Sequence, residues 1–171
     1  MILYKYNHMK DIVRKSIKTK EIHINPNDIR STIGNAIDEK VKNDIEGICC
    51  EDGYVIKDSI QIIERSMGRI INVNNKSKIL YNIKYTSSII SPAKGIKLDC
   101  YINSVTKMGA VAYVKYGDLT DFKDSPLLII IPKTYSADAE EVALNKKYKI
   151  EVMATRLIYK ANQIHVVAKL V

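Results

Sequence analysis

The chain has 171 residues, 46% of them hydrophobic and 27% charged, with 27 Lys+Arg against 19 Asp+Glu and a formal net charge of +8. That length and apolar content suit one mid-sized domain or two small ones and exclude disordered and fibrous classes. The longest apolar run, Leu127–Ile131, is far shorter than the roughly 18 residues of a membrane-spanning helix, and the basic segment Met1–Lys20 lacks the apolar stretch of a secretory signal. Three cysteines, two of them adjacent at Cys49 and Cys50, make no disulfide framework and point to a reducing, intracellular compartment.

In chain order, residues 17–25 alternate apolar and polar at Ile17, Ile22 and Ile24, which predicts a strand ending at Asn25-Pro26. Ile29, Ile33, Ala36, Ile37, Val41 and Ile45 then recur at helical spacing. They predict an amphipathic helix over 28–46, capped by Asp28 and closed by Gly47. Beyond Gly47 the period becomes that of strands. Gly53–Ile56, Ser59–Ile63, Ile70–Val73 and Ile79–Ile90 are β-branched and alternating, with a turn at Met67-Gly68-Arg69. The first half thus reads β-α-β-β-β, a small antiparallel sheet with one helix on it. Ser91-Pro92-Ala93 breaks the pattern and marks a domain boundary, because proline cannot donate to a sheet ladder.

The second half is nearly all strand: Gly95–Thr106, a turn at Lys107-Met108-Gly109, Ala110–Val114, Leu127–Ile131, Tyr148–Leu157 and Gln163–Val171. Five short strands in about 80 residues is the count of an OB-type barrel, a fold that often binds single-stranded nucleic acid. The fold class is therefore α+β, a helix-bearing antiparallel sheet followed by an all-β, S1-like OB barrel. Three segments follow: a basic arm at 1–16, an N-terminal domain at 17–92 and a C-terminal OB domain at 93–171.

Charge is uneven along these segments. Residues 1–20 carry six basic groups and one acid; 21–92 carry nine and ten; 93–171 carry twelve and eight. The two basic ends suit a polyanionic or acidic partner, although lysine also serves simply to solubilise a surface. An OB groove that takes RNA needs cations for phosphates and flat side chains for bases. Lys107, Lys115, Lys133, Arg156 and Lys160, with Tyr113 and Tyr116, are the candidates; tyrosine at alternating strand positions also packs, and turn lysines are also just solvated.

Chemistry of other kinds finds little support. Cys49-Cys50 has no second pair at zinc spacing, and Cys100 lies in a strand whose alternation points it inward. His8, His23 and His165 are far apart, and none of the phosphate-loop, dinucleotide-binding or serine-nucleophile motifs occurs. Adjacent carboxylates such as Glu140-Glu141 point apart on any regular element and cannot share a proton. The expectation is a chain that is not an enzyme and uses no cofactor and no metal.

An ordered set of segments then carries a resemblance. They are E-I-H-I-N-P-N-D-I (21–29), I-E-G-I-C (45–49), D-G-Y-V-I (52–56), M-G-R-I (67–70), K-Y-T-S-S-I-I-S-P-A-K-G (84–95), V-T-K-M-G-A-V-A (105–112) and K-I-E-V-M-A-T-R (149–156). In this order, from Ile17 to Val171, the chain resembles the larger stalk subunit of multisubunit RNA polymerases, the seventh subunit of eukaryotic RNA polymerase II and its archaeal counterpart. The resemblance implies an N-terminal tip domain that docks on the core polymerase beside the clamp, a small helical stalk partner, and an OB face near weakly bound nascent single-stranded RNA. On this basis Gly53, Tyr54, Met67, Gly68, Arg69 and Ile70 form a core-docking plug at one end of the small sheet. From the residues alone, Gly53 and Gly68 read equally as ordinary turn glycines with their apolar neighbours facing the core.

The chain departs from the family in the basic arm before Ile17, in the missing second glycine after Gly68, and in a short loop between the third and fourth barrel strands. An abundance of Ile, Lys and Asn, with these abbreviated loops, favours a version encoded by a large DNA virus. The location would then be a cytoplasmic replication site or virion rather than the nucleus. The alternative is a free-standing S1-like RNA-binding module in translation or RNA decay, which residues 93–171 alone would serve.

Overall fold

The computed structural model describes residues 11–29, 32–115, 121–135 and 142–171. Among the described residues, eleven strands and one α-helix run in the order β1 (Val13–Ile24), α1 (Ile33–Ile45), β2 (Cys49–Cys50), β3 (Gly53–Val55), β4 (Gln61–Arg65), β5 (Arg69–Val73), β6 (Lys76–Ile90), β7 (Lys97–Thr106), β8 (Gly109–Tyr113), β9 (Leu127–Pro132), β10 (Lys147–Arg156) and β11 (Ile164–Leu170). The first six strands form one sheet in the order β1-β6-β3-β2, with β4 and β5 also paired to β6; the last five close a barrel. By internal contacts Lys15–Gly47 and Val55–Ile89 make one compact unit, and the described residues up to Arg14, Ile48–Tyr54 and Ile90–Val171 make a second.

The first unit is organised by β6. Its alternate residues Tyr81, Ile83, Tyr85, Ser87 and Ile89 are buried, the period-2 signature of a strand with one face on a core. Helix α1 contributes Ile37, Val41 and Ile45 to that core at i, i+4, i+8 spacing. The helix starts later than the apolar periodicity predicts. Asp28 is not its cap: it ends a 3-10 turn, Pro26–Asp28, where its Oδ2 accepts from Asn25 Nδ2 at 2.7 Å. Thr32 instead has extended backbone and accepts the Asn35 N–H through Oγ1 at 3.3 Å, which is the capping geometry. At the other end Gly47 takes φ +74, the left-handed conformation that closes a helix without a Cβ clash.

Three further boundaries move. Strand β1 opens at Val13, inside the segment read as a basic arm, and the turn before β5 is Ser66–Gly68, with Arg69 already in the strand. Strand β3 is the predicted Gly53–Ile56 strand ending one residue early, whereas the two-residue β2 has no counterpart in the reading, being too brief for alternation to register.

In the barrel each strand pairs in a fixed register: β7 with β8, β8 with β9 and β10 with both β7 and β11 antiparallel, while β9 and β11 run parallel. Partners followed from Lys147 pass through Tyr101, Tyr113, Leu128 and His165 and return to β10 at Arg156, nine positions along the same strand. That stagger is the shear that tilts the strands and closes a small barrel. Its interior is filled by Leu98, Cys100, Ile102, Ala110, Ala112, Leu127, Ile129, Ile131, Ile150, Val152, Ile164, Val166 and Ala168, all buried. Ala110 and Ala112 on β8 are paired with Ile131 and Ile129 on β9, the small-beside-large pattern common inside small barrels.

Candidate functional site

Two surfaces carry the residues singled out by the sequence. The first is the turn between β4 and β5. Ser66 N–H bonds to Asn82 O at 2.9 Å, and Arg69 pairs with Leu80, so the turn is anchored to β6 on both sides. At its apex Met67 is 94% exposed and Ile70 75%. Gly68 is dictated by space: a Cβ there would lie 2.6 Å from Tyr81 Oη and 2.9 Å from Ile79 Cγ2. Tyr81 and Ile79 pack under the turn and push Met67 outward. Exposed Ile63, Met67 and Ile70 flanked by Arg65 and Arg69 make an apolar tip with a basic rim, a surface suited to docking.

Gly53 and Tyr54 do not belong to that tip. Both are buried, with Tyr54 5% exposed, which corrects the expectation of an exposed plug residue. The segment after Tyr54 joins β6 where Ile56 N–H bonds to Ser88 O. That is six residues, about 20 Å of strand, from Asn82. Burial, with the charges of Cys49 and Asp124 adding to it, pushes the Tyr54 hydroxyl up to about 12. Tyr54 is a structural residue of its hairpin, and no local sequence signal distinguishes it from an exposed turn tyrosine.

The second surface is the barrel exterior. Lys107 is exposed in the β7–β8 turn, and Lys133 is brought beside that turn by its N–H bond to Met108 O at 3.0 Å. Lys115, Arg156 and Lys160 lie toward the opposite end: Tyr101, Tyr113, Leu128, His165 and Arg156 are successive partners across the strands. Lys160 sits at φ +63 in the β10–β11 turn, where its N–H bonds to Cys49 O and the Ala161 carbonyl accepts from Cys49 N–H. Hairpin β2–β3 thereby holds that turn in place.

The aromatic half of the expected RNA groove is largely absent. Tyr113 is only 6% exposed, wedged between Tyr101 and the edge of Phe122 with ring centroids 6.0 Å apart on each side. Tyr101 carries the Lys115 ammonium over its ring at 4.3 Å. Neither face is open for a base to stack on. Tyr116 lies outside the described residues. Phe122 is fixed from below by Gln163, whose Nε2 donates to Phe122 O at 3.1 Å and to Ser125 O at 2.9 Å. The buried Ser125 hydroxyl bonds to backbone groups of Val114 and Leu127. Ser125 and Gln163 organise this end of the barrel, and sequence reasoning missed both, because single polar residues in a loop carry no periodic signal.

Two of the three cysteine thiols, Cys49 and Cys100, are buried. Burial, helped by Cys50, pushes Cys49 up to about 11, and burial with Asp99 pushes Cys100 up to about 12. Among the described residues no three His, Cys, Asp or Glu side chains come together as a metal-ligand set, and no helix is long and apolar enough to cross a membrane.

No protein-family model matches the chain. The chain is similar to a polymerase subunit. A 123-residue stretch is 26% identical to the DNA-directed RNA polymerase II subunit rpb7 of Dictyostelium discoideum, covering 71% of this chain and 66% of the relative. The similarity thus spans just under two thirds of the relative's own length.

Proposed function

We propose that the chain is a non-catalytic stalk subunit of a multisubunit DNA-dependent RNA polymerase. The observation that carries this reading is the similarity to rpb7 over 71% of a chain whose fold is a helix-bearing sheet followed by a closed five-stranded, OB-like barrel. Neither half alone is diagnostic; the pair in this order is what the resemblance implies.

In this role the tip domain, residues 17–92, docks on core polymerase subunits beside the clamp. The β4–β5 turn is the contact, with Met67 and Ile70 as its apolar anchors, Arg69 at its rim, and Gly68 letting Tyr81 pack beneath them. A wedge of this kind favours a closed clamp only by binding that state more tightly than the open one. The OB domain, residues 93–171, faces emerging RNA and touches it through phosphates, using Lys107, Lys115, Lys133, Arg156 and Lys160. Because Tyr101 and Tyr113 are occupied by Lys115 and Phe122, such contact is weak, sequence-tolerant and steeply salt-dependent. A small helical protein completes the stalk, and the same role fits a viral, an archaeal or a eukaryotic polymerase.

A tagged full-length chain recovered from its native source at moderate salt tests this. Large polymerase subunits near one-to-one are expected, and their identity separates a viral from a nuclear enzyme. Recovery of RNA with ribosomal or decay proteins and no polymerase would overturn the proposal in favour of a free-standing RNA-binding module.

A further inference from the structure

The exterior of the barrel bears a feature that phosphate contact leaves unused. Ser104, Val111, Ile130, Val167 and Ala154 are successive cross-strand partners on β7, β8, β9, β11 and β10. Val111, Ile130 and Val167 alternate with the buried Ala110, Ala112, Ile129, Ile131, Val166 and Ala168, while Ser104 and Ala154 follow register shifts in β7 and β10 and are half-buried and exposed. This row contains no charged side chain. Leu128, two residues from Ile130 on the same face, and Pro132, two residues beyond, extend it along β9. Ile130 is 39% exposed, although an isoleucine at an outward barrel position is ordinarily replaced by a polar residue.

Positive charge brackets this belt. Lys107 and Lys133 stand at the β7–β8 turn, with Met108 84% exposed between them, and Arg156 stands at the other end, opposite His165. The nearby acid Glu151 is taken up by Lys169 at 3.2 Å.

We propose that this belt is a docking face for an acidic segment of a second protein that carries aliphatic side chains. The aliphatic row would bury the partner's apolar residues, while Lys107 and Arg156 meet its carboxylates. RNA fits the same face less well. Bases gain their binding energy by stacking on aromatic rings or planar guanidinium groups. Here the row itself is Ser, Val, Ile, Val and Ala, with no ring or guanidinium in it, and the adjacent Tyr101 and Tyr113 are engaged with Lys115 and Phe122. The proposal stands independently of the polymerase reading.

The test uses the full-length chain and three fluorescein-labelled probes. These are a 16-residue peptide of four Asp-Asp-Leu-Leu blocks, the same peptide with Ser for Leu, and a 16-nucleotide oligouridine. Fluorescence anisotropy is read at two salt concentrations. The Leu peptide is expected to bind at least tenfold tighter than the Ser peptide, which has the same charge. Val111→Thr with Ile130→Ser, both partly exposed positions, should weaken the Leu peptide by roughly tenfold and leave oligouridine unchanged. Lys107→Ala should weaken all three probes. Equal binding of the Leu and Ser peptides would overturn the proposal, as would indifference of the Leu peptide to the double variant. A matching loss of oligouridine binding in that variant would assign the face to RNA. Thermal melting of the double variant, together with retained oligouridine binding, shows that the barrel is intact.

Discussion

Replacing Gly109 with alanine should cost the barrel more than any change in its surface. Gly109 opens β8 at φ +136, a region that L-residues avoid, and it is buried against β9. A Cβ there would point at the Ile131 carbonyl oxygen, well inside van der Waals contact, and would lie 2.9 Å from Pro132 Cα and 3.0 Å from Lys133 N. All three are backbone atoms, so no side chain can swing aside. The strained dihedral costs about 1–3 kcal/mol. Moving β9 away disturbs the Gly109–Pro132 pairing and the 3.0 Å Lys133 N–H bond to Met108 O, about 1 kcal/mol for each hydrogen bond lost. The expected total is about 3–5 kcal/mol, a drop in melting temperature on the order of 10 °C for a chain of this size. The chain has no tryptophan and 11 tyrosines, so urea unfolding is best followed by tyrosine fluorescence and near-ultraviolet circular dichroism. Met108→Ala is the control: its side chain is 84% exposed and its loss should fall within about 0.5 kcal/mol. A loss below about 1 kcal/mol for Gly109→Ala, with an unchanged denaturant slope, would refute the argument, because it would mean that β9 yields without cost.

Alkaline pH should destabilise the protein through groups it keeps protonated. Folding raises Cys49 and Cys100 from 9.0 to about 11 and about 12, and Tyr54 from 10.0 to about 12. The folded state therefore holds more protons than the unfolded one above about pH 9, and stability present below that pH declines toward pH 11–12. Urea midpoints at pH 8, 9.5 and 10.5 should fall in that order, and less steeply for Cys100→Ala; a flat series would contradict the assignment. Thr32→Ala removes the side-chain cap of α1 and should lower stability by about 1 kcal/mol in urea unfolding, with Thr32→Ser restoring most of it. Met67→Asp with Ile70→Asp alters exposed positions, so the melting temperature should hold while recovery of polymerase subunits in a pull-down is lost; retention of those subunits would move the docking contact elsewhere.

Much of the barrel is legible in the sequence, for a physical reason. Alternation is clean along 97–102 and 164–169, β8 is buried at all but Val111, and the observed ends differ from those read by one or two residues. Turns held by glycine at 109 and by the positive-φ Lys160 supply the punctuation. Helix α1 is legible as a helix, but its start is not. Ile29 continues the apolar period while the backbone at Thr32 is extended, and periodicity cannot report a break that a single dihedral makes. Strand β2 escapes for a related reason: its Cys49 is held by bonds to the distant turn at Lys160 and Ala161, which no window along the chain contains.

The candidate sites show the same limit more sharply. Tyr54, Tyr113, Met67 and Ile70 are all apolar or aromatic residues near glycine turns or on alternating strands, and nothing local ranks them. The structure separates them by what lies against each. Tyr113 occupies an outward position by alternation, in register with Leu128, yet Phe122 from the loop 121–126 closes over it, and that loop is set by Ser125 and Gln163. Met67 is outward because Tyr81 fills the space under Gly68. Ile130 falls in a run of five apolar residues that reads as a fully buried strand. Only its register with Val111 and Val167 shows that alternate members of the run face outward. Outward alternation in a closed barrel is therefore necessary for a binding residue but not sufficient. A loop that folds back can bury an outward tyrosine, and an apolar run can conceal an exposed isoleucine. The barrel consequently offers aliphatic groups and cations where the sequence suggested tyrosines, a surface chemistry better matched to acidic, aliphatic protein than to stacked bases.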